Sequence, residues 1–203
     1  MRNDYDFIAP MYDCGVRLLF GKGVSQAYTH HLRLVSSNER VLVVGGGSGR
    51  LLTSLSKDAR VDYVELSGKM IMRARKYRLS DIRYYQEDFF CFTSDVTYDW
   101  VLFPFFLDLF SQEEIADLLK KTETLLAGAG KLIVSDFNPP TSLRHRLLVG
   151  FSITSLRIAV SLRISRLAPI REVLSREGYE SKELFLGENG FIFSGIFQKR
   201  SAF

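Results

Sequence analysis

Val41-Leu42-Val43-Val44-Gly45-Gly46-Gly47-Ser48-Gly49-Arg50-Leu51-Leu52 is the stretch whose reading decides the fold. Four aliphatic residues in a row predict a strand buried on both faces, as in a parallel sheet. The glycines after them predict a tight turn. Glycine accepts positive φ and has no Cβ, so a ligand can lie against such a backbone. Ser48 is placed to cap a helix through Leu51, Leu52 and Leu55, whose first N–H groups would face the same crevice. Strand, glycine turn and helix together make a nucleotide-type cradle at the carboxyl edge of a sheet.

Spacing narrows the ligand. The glycines fall as G-x-G-x-G at Gly45, Gly47 and Gly49. A dinucleotide fingerprint needs a small residue where Arg50 stands, and a phosphate loop needs Gly-Lys-Ser/Thr, which the chain lacks. The weight therefore rests on the acids and strands downstream of the turn. Val61 to Ser67 predicts a second strand whose tip carries Glu65, a carboxylate placed to accept both hydroxyls of a ribose. Ile82 to Phe90 predicts a third strand ending in Asp88, an acceptor for an adenine amine, with Phe89 against the ring. Tyr98 to Phe103 predicts a fourth strand.

These residues resemble the class I S-adenosylmethionine-dependent methyltransferases. The resemblance rests on the glycine turn, Glu65 with Leu66-Ser67 and Met70, Asp88-Phe89, the Tyr98-Asp99 strand, and Leu125 to Val134 as helix end, turn and fifth strand. It implies a Rossmann-like α/β fold. Its sheet would be doubly wound, seven-stranded and mostly parallel, with an antiparallel C-terminal hairpin and helices on both faces. It implies S-adenosylmethionine as cofactor, held by Gly45, Gly47, Gly49, Glu65 and Asp88, with Leu66, Phe89, Phe103 and Tyr12 beside them. Tyr5 to Asp13 is similar to a lid pattern in methyltransferases of quinones and related small molecules, and Tyr12 is the residue it points to. The plainer reading of that segment is an aromatic staple on the core. The chain departs from the family at Val43. Many members carry an acid there that supports the methionine amine.

A chain of 203 residues is long enough for one domain with a full core. No run of 18 apolar residues and no N-terminal apolar segment appears, so a cytoplasmic protein without a membrane span is expected. Cys14 and Cys91 are far apart and lack histidine partners, which fits buried free thiols in a reducing cytosol rather than a metal centre or a disulfide framework. The net charge of +4 is unevenly placed. Residues 137–171 hold six arginines and no acid, and the rest of the chain holds 21 basic against 23 acidic residues. The basic character therefore belongs to one insertion, which disfavours a nucleic-acid face across the whole protein.

Residues 1–36 are expected to form a helical lid, with Leu18, Leu19, Val24, Ala27, Tyr28, Leu32 and Leu34 as core positions. Adjacent His30 and His31 diverge by about 100° on a helix and do not share a ligand. Ser67 and Ser111 are expected caps, the latter in a capping box with Glu114. Asp108, after strand four, is the candidate base; a helix-entry residue facing water is the plainer reading. The phenylalanines from Phe103 to Phe110 predict an aromatic-lined acceptor site. Residues 143–167 alternate with period two and also carry a helical stripe, so periodicity leaves helix and strand open. A basic amphipathic cover there suggests a lipophilic or anionic acceptor, or contact with a membrane surface. Ala168-Pro169 opens a last helix, and a hairpin forms around Gly187 to Gly190.

The expectation is a methyltransferase acting on a small, largely apolar or aromatic acceptor, with no metal. Three rivals stand beside it: a non-catalytic cofactor binder, an RNA or DNA methyltransferase using the Arg-rich insertion, and a nicotinamide enzyme on the same turn. The acceptor, the methylated atom and the oligomeric state are not legible.

Overall fold

Apolar residues in unbroken runs need cover on both sides, and the strands obtain it. The computed structural model describes residues 23–77, 79–140, 142, 145 and 167–200. Its strands are β1 (Arg40–Val44), β2 (Arg60–Val64), β3 (Asp81–Tyr85), β4 (Tyr98–Pro104), β5 (Leu126–Phe137), β6 (Tyr179–Gly187) and β7 (Ile192–Lys199). They form one sheet in the order β3-β2-β1-β4-β5-β7-β6. The first five strands run parallel, and β7 is antiparallel to both β5 and β6. The doubly wound, seven-stranded fold with its C-terminal hairpin is therefore as expected.

Successive residues of β1 point to opposite faces. Leu42 and Val44 join one core, and Val41 and Val43 join the other. The first core is roofed by α3 (Gln112–Leu125) through Ile115, Leu118 and Leu119, and by α4 (Ile170–Arg176) through Val173 and Leu174. The second holds Leu51, Leu52 and Leu55, with Ala74 from α2 (Gly68–Ala74). A helix over 23–30, α1, sets Val24 and Ala27 in a third cluster with Phe105, Phe137 and Ile192.

Two caps form as expected. Ser67 accepts the Met70 N–H, and Ser111 and Glu114 make a reciprocal capping box. Other expectations are corrected. Ser48 caps no helix. Gly49 lies at φ +77° and opens a short 3-10 turn, Arg50–Ser54. Only five residues separate that turn from β2, which leaves no room for a full helix. β3 ends at Tyr85, so Asp88 sits in the following loop and not on the strand. Leu34 is 42% exposed, because the 3-10 turn Leu32–Leu34 swings it outward and Val35 fills the core instead.

A buried polar cluster locks the sheet's other edge. Asp62 takes two bonds from Arg83, at 2.7 and 3.0 Å, and one from the Tyr98 hydroxyl at 2.6 Å. His31 turns into the core against Ser194 at 3.0 Å, while His30 stacks on Phe185, so the two imidazoles take separate roles. Tyr12 and most of 143–167, with the membrane contact expected there, lie outside the described residues, as do residues 1–22 of the 1–36 lid. Cys91, expected to be buried, is exposed in the loop after β3.

Candidate functional site

Strand order reverses between β1 and β4, since β1 lies between β2 and β4. Crossovers leave on opposite faces at such a point, and a crevice opens past the strand ends. The glycine turn fills its floor. Gly45, Gly47 and Gly49 all have φ between +59° and +77°. Their surroundings differ. A Cβ on Gly45 would meet the Phe106 ring at 2.2 Å, and one on Gly49 would meet Ala74 at 2.6 Å. A Cβ on Gly47 would meet nothing within 4 Å. Gly47 is thus where this turn shows bare backbone, and its neighbours are glycines because side chains already press on them.

Glu65 follows β2 and closes on the turn. Its Oε2 accepts the Gly47 N–H at 3.0 Å, and its Oε1 accepts the Ser67 N–H at 2.9 Å. The Tyr63 hydroxyl donates to the Gly47 carbonyl at 2.9 Å. Glu65 and the open glycine therefore share one spot. Leu66, next in the chain, is 40% exposed.

Asp88 is exposed in the loop after β3, and its Oδ1 accepts the Phe90 N–H at 2.9 Å. Here the aromatic assignments shift by a residue or more. Phe89 and Phe103 are both buried in the core, edge to face at 6.2 Å. Phe90 is 42% exposed, and its ring meets Phe110 at 6.1 Å. Phe110 meets Phe106 at 5.0 Å, and Phe106 stacks on Phe103 at 6.0 Å while covering Gly45. An aromatic run, Phe90–Phe110–Phe106, thus links the Asp88 loop to the glycine turn, and Phe89 and Phe103 support it from beneath. Loop residues alternate without a fixed period, so the sequence alone does not separate Phe89 from Phe90.

The turn after β4 is held by the tip of β5. Phe105 sits at φ +53° and donates its N–H to the Ser135 carbonyl at 2.6 Å. Asp136 accepts the Leu107 and Asp108 N–H groups on Oδ2, at 3.0 and 3.2 Å. Asp108 does not face water: it is buried, and its Oδ1 has no hydrogen-bond partner. Burial pushes its carboxyl up to about 7, and burial beside Asp108 pushes Asp136 well above the usual carboxylate range. Sequence reasoning missed Asp136, whose one signal is a carboxylate closing an apolar strand. Val43 is buried in the core and brings no acid to the turn.

Residues 41–130 match a family model described as a methyltransferase domain. They span the glycine turn, Glu65, Asp88 and Asp108. No curated protein matches the chain. Among solved structures, the DhpI complex with SAH is 19% identical, with a TM-score of 0.68 over 96% of this chain and 93% of that one. The N-methyltransferase NodS from Bradyrhizobium japonicum WM9, in complex with S-adenosyl-l-homocysteine, is 16% identical, with a TM-score of 0.67 over 87% of each chain. The mitomycin 7-O-methyltransferase MmcR is 15% identical, with a TM-score of 0.67 over 88% of this chain and 54% of that one. These likenesses show the fold. The methyltransferase-domain match over residues 41–130, laid on that fold, supports the resemblance to the S-adenosylmethionine-dependent methyltransferases.

Proposed function

We propose that the protein methylates a small acceptor with an apolar or aromatic body, bound beside the turn after β4. The observation that carries this reading is the aromatic run Phe90–Phe110–Phe106, which ends on Gly45. Large apolar walls with few polar groups suit a small organic molecule.

The residues present fit the cofactor. Gly47 offers bare backbone, Glu65 a carboxylate for a ribose diol, Asp88 an exposed acceptor for an adenine amine, and Leu66 and Phe90 apolar cover for the base. S-adenosylmethionine supplies an electrophilic methyl group and leaves as a neutral thioether. The protein's task is then mostly to align the acceptor atom with that methyl group and to keep water out. We assign the covering role to residues 1–36, with Tyr12, and to 137–171. One neighbour is named as an O-methyltransferase and another as an N-methyltransferase, so the fold itself does not fix the acceptor atom.

Transfer of radiolabelled methyl from S-adenosylmethionine into a fractionated cell extract tests the reading. Label is expected in the solvent-extractable small-molecule fraction. Label in nucleic acid or protein overturns it.

A further inference from the structure

Two carboxyl groups meet at the tips of β4 and β5, and no cation meets them among the described residues. Asp136 is fully buried and built into the backbone. Its Oδ2 accepts the N–H groups of Leu107 and Asp108, and its Oδ1 that of Phe137 at 2.8 Å. Asp108 is 8% exposed, and its Oδ1 is buried with no hydrogen-bond partner. Among the described residues no Lys, Arg or His bonds either carboxyl, and Asp136 is the titratable group facing Asp108. A buried carboxylate without a counter-charge is one of the costliest groups a protein interior can hold. Its position is not remote. Phe106, two residues before Asp108, lies on Gly45, so the pair stands at the same end of the sheet as the glycine turn.

We propose that Asp108 and Asp136 form an ammonium-recognising pair, and that the acceptor is an amine on an apolar or aromatic body. This rests on the small-acceptor reading above. Asp108 is the group that meets the amine, and Asp136 is a positioning residue that fixes the 107–108 turn. An ammonium brings the positive charge the pair lacks and N–H donors for the orphaned Oδ1. A neutral hydroxyl brings no charge, and an acidic acceptor would be repelled. The step balances. Asp108 takes one proton from the ammonium, which frees the nitrogen lone pair. The new N–C bond then forms as the donor's C–S bond breaks, positive charge passes from sulfur to nitrogen, and the sulfur departs as a neutral thioether.

Calorimetry on the full-length protein loaded with S-adenosylhomocysteine tests this with benzylamine and benzyl alcohol, which share a ring and differ in charge. Benzylamine is expected to bind at least about tenfold tighter near neutral pH, because a charge-assisted bond to a buried carboxylate is at stake. In Asp108→Asn the preference should vanish. In Asp136→Ala the 107–108 turn loses the acceptor that holds it, so the preference for benzylamine over benzyl alcohol should fall, and Asp136→Asn, which keeps an acceptor oxygen, should restore part of it. A merely structural role for Asp136 would weaken both probes equally, and would overturn its assignment. Equal binding of the two probes to the wild type, or an unchanged preference in Asp108→Asn, overturns the proposal. So does an Asp108→Asn variant that binds S-adenosylhomocysteine weakly but methylthioadenosine normally, since the pair would then hold the cofactor's own ammonium. Should Asp108→Asn fail to fold, Asp108→Ser carries the same comparison. A wild-type protein that binds no S-adenosylhomocysteine strikes the cofactor reading instead.

Discussion

Glu65 and Gly47 are joined by a 3.0 Å hydrogen bond from the glycine N–H to the carboxylate, although they lie on different strand ends. The bond ties the second strand's tip to the one point of the turn where backbone lies bare. It also separates two kinds of glycine. At Gly49 a Cβ would strike the Ala74 backbone at 2.7 Å, whereas at Gly47 it would project into open space.

Gly49→Ala should therefore be the more destabilising change. Both positions have positive φ, which costs a side chain about 1–2 kcal/mol, but only Gly49 adds a steric overlap with a packed helix. Thermal unfolding should show the larger fall for Gly49→Ala. Gly47→Ala should chiefly weaken cofactor binding, measured by calorimetry. The reverse order would mean that the open face belongs to the wrong glycine.

Tyr98→Phe should lower stability and leave methyl transfer alone. The hydroxyl bonds buried Asp62 at 2.6 Å, and Asp62 pairs with Leu42 in mid-strand, away from the carboxyl edge. A hydrogen bond to a buried charge contributes about 1.5–3 kcal/mol. Urea unfolding checks the loss. A matching fall in methyl transfer at low temperature would place Asp62 in the site after all.

The Asp108–Asp136 pair should make stability fall as pH rises. Asp108 is raised to about 7 in the folded protein, while the unfolded chain titrates near the ordinary carboxylate value of 3.8. The folded state therefore holds more protons between those values. Its advantage is complete below the lower value and lost as pH climbs through the upper one. Asp108→Asn should flatten this decline between pH 4 and about 7, read as the melting temperature across that window. A decline of unchanged slope would show that other groups cause it.

Much of this was legible because the sheet is covered on both sides. Val41 to Val44 read as a buried parallel strand, and the four residues divide between two cores. The place of Glu65 beside the glycine turn was legible because the tips of neighbouring parallel strands lie side by side. The aromatic assignments were not. Whether Phe89 or Phe90 faces outward depends on the loop after β3, where Cys91 and Phe92 both donate to the Asp88 carbonyl and turn the chain. Phe103 and Phe106 differ in the same way, through the positive φ of Phe105 between them. Asp136 escaped because its partners are backbone N–H groups some thirty residues earlier, and no local pattern records such a bond.

Calorimetry of S-adenosylhomocysteine binding to the wild type and to Glu65→Ala tests the central claim most directly. The wild type should bind. The variant should bind at least about tenfold more weakly, since it loses charge-assisted bonds of roughly 1.5–3 kcal/mol each. Equal affinity in both proteins would contradict the placement of the cofactor between Glu65 and the glycine turn.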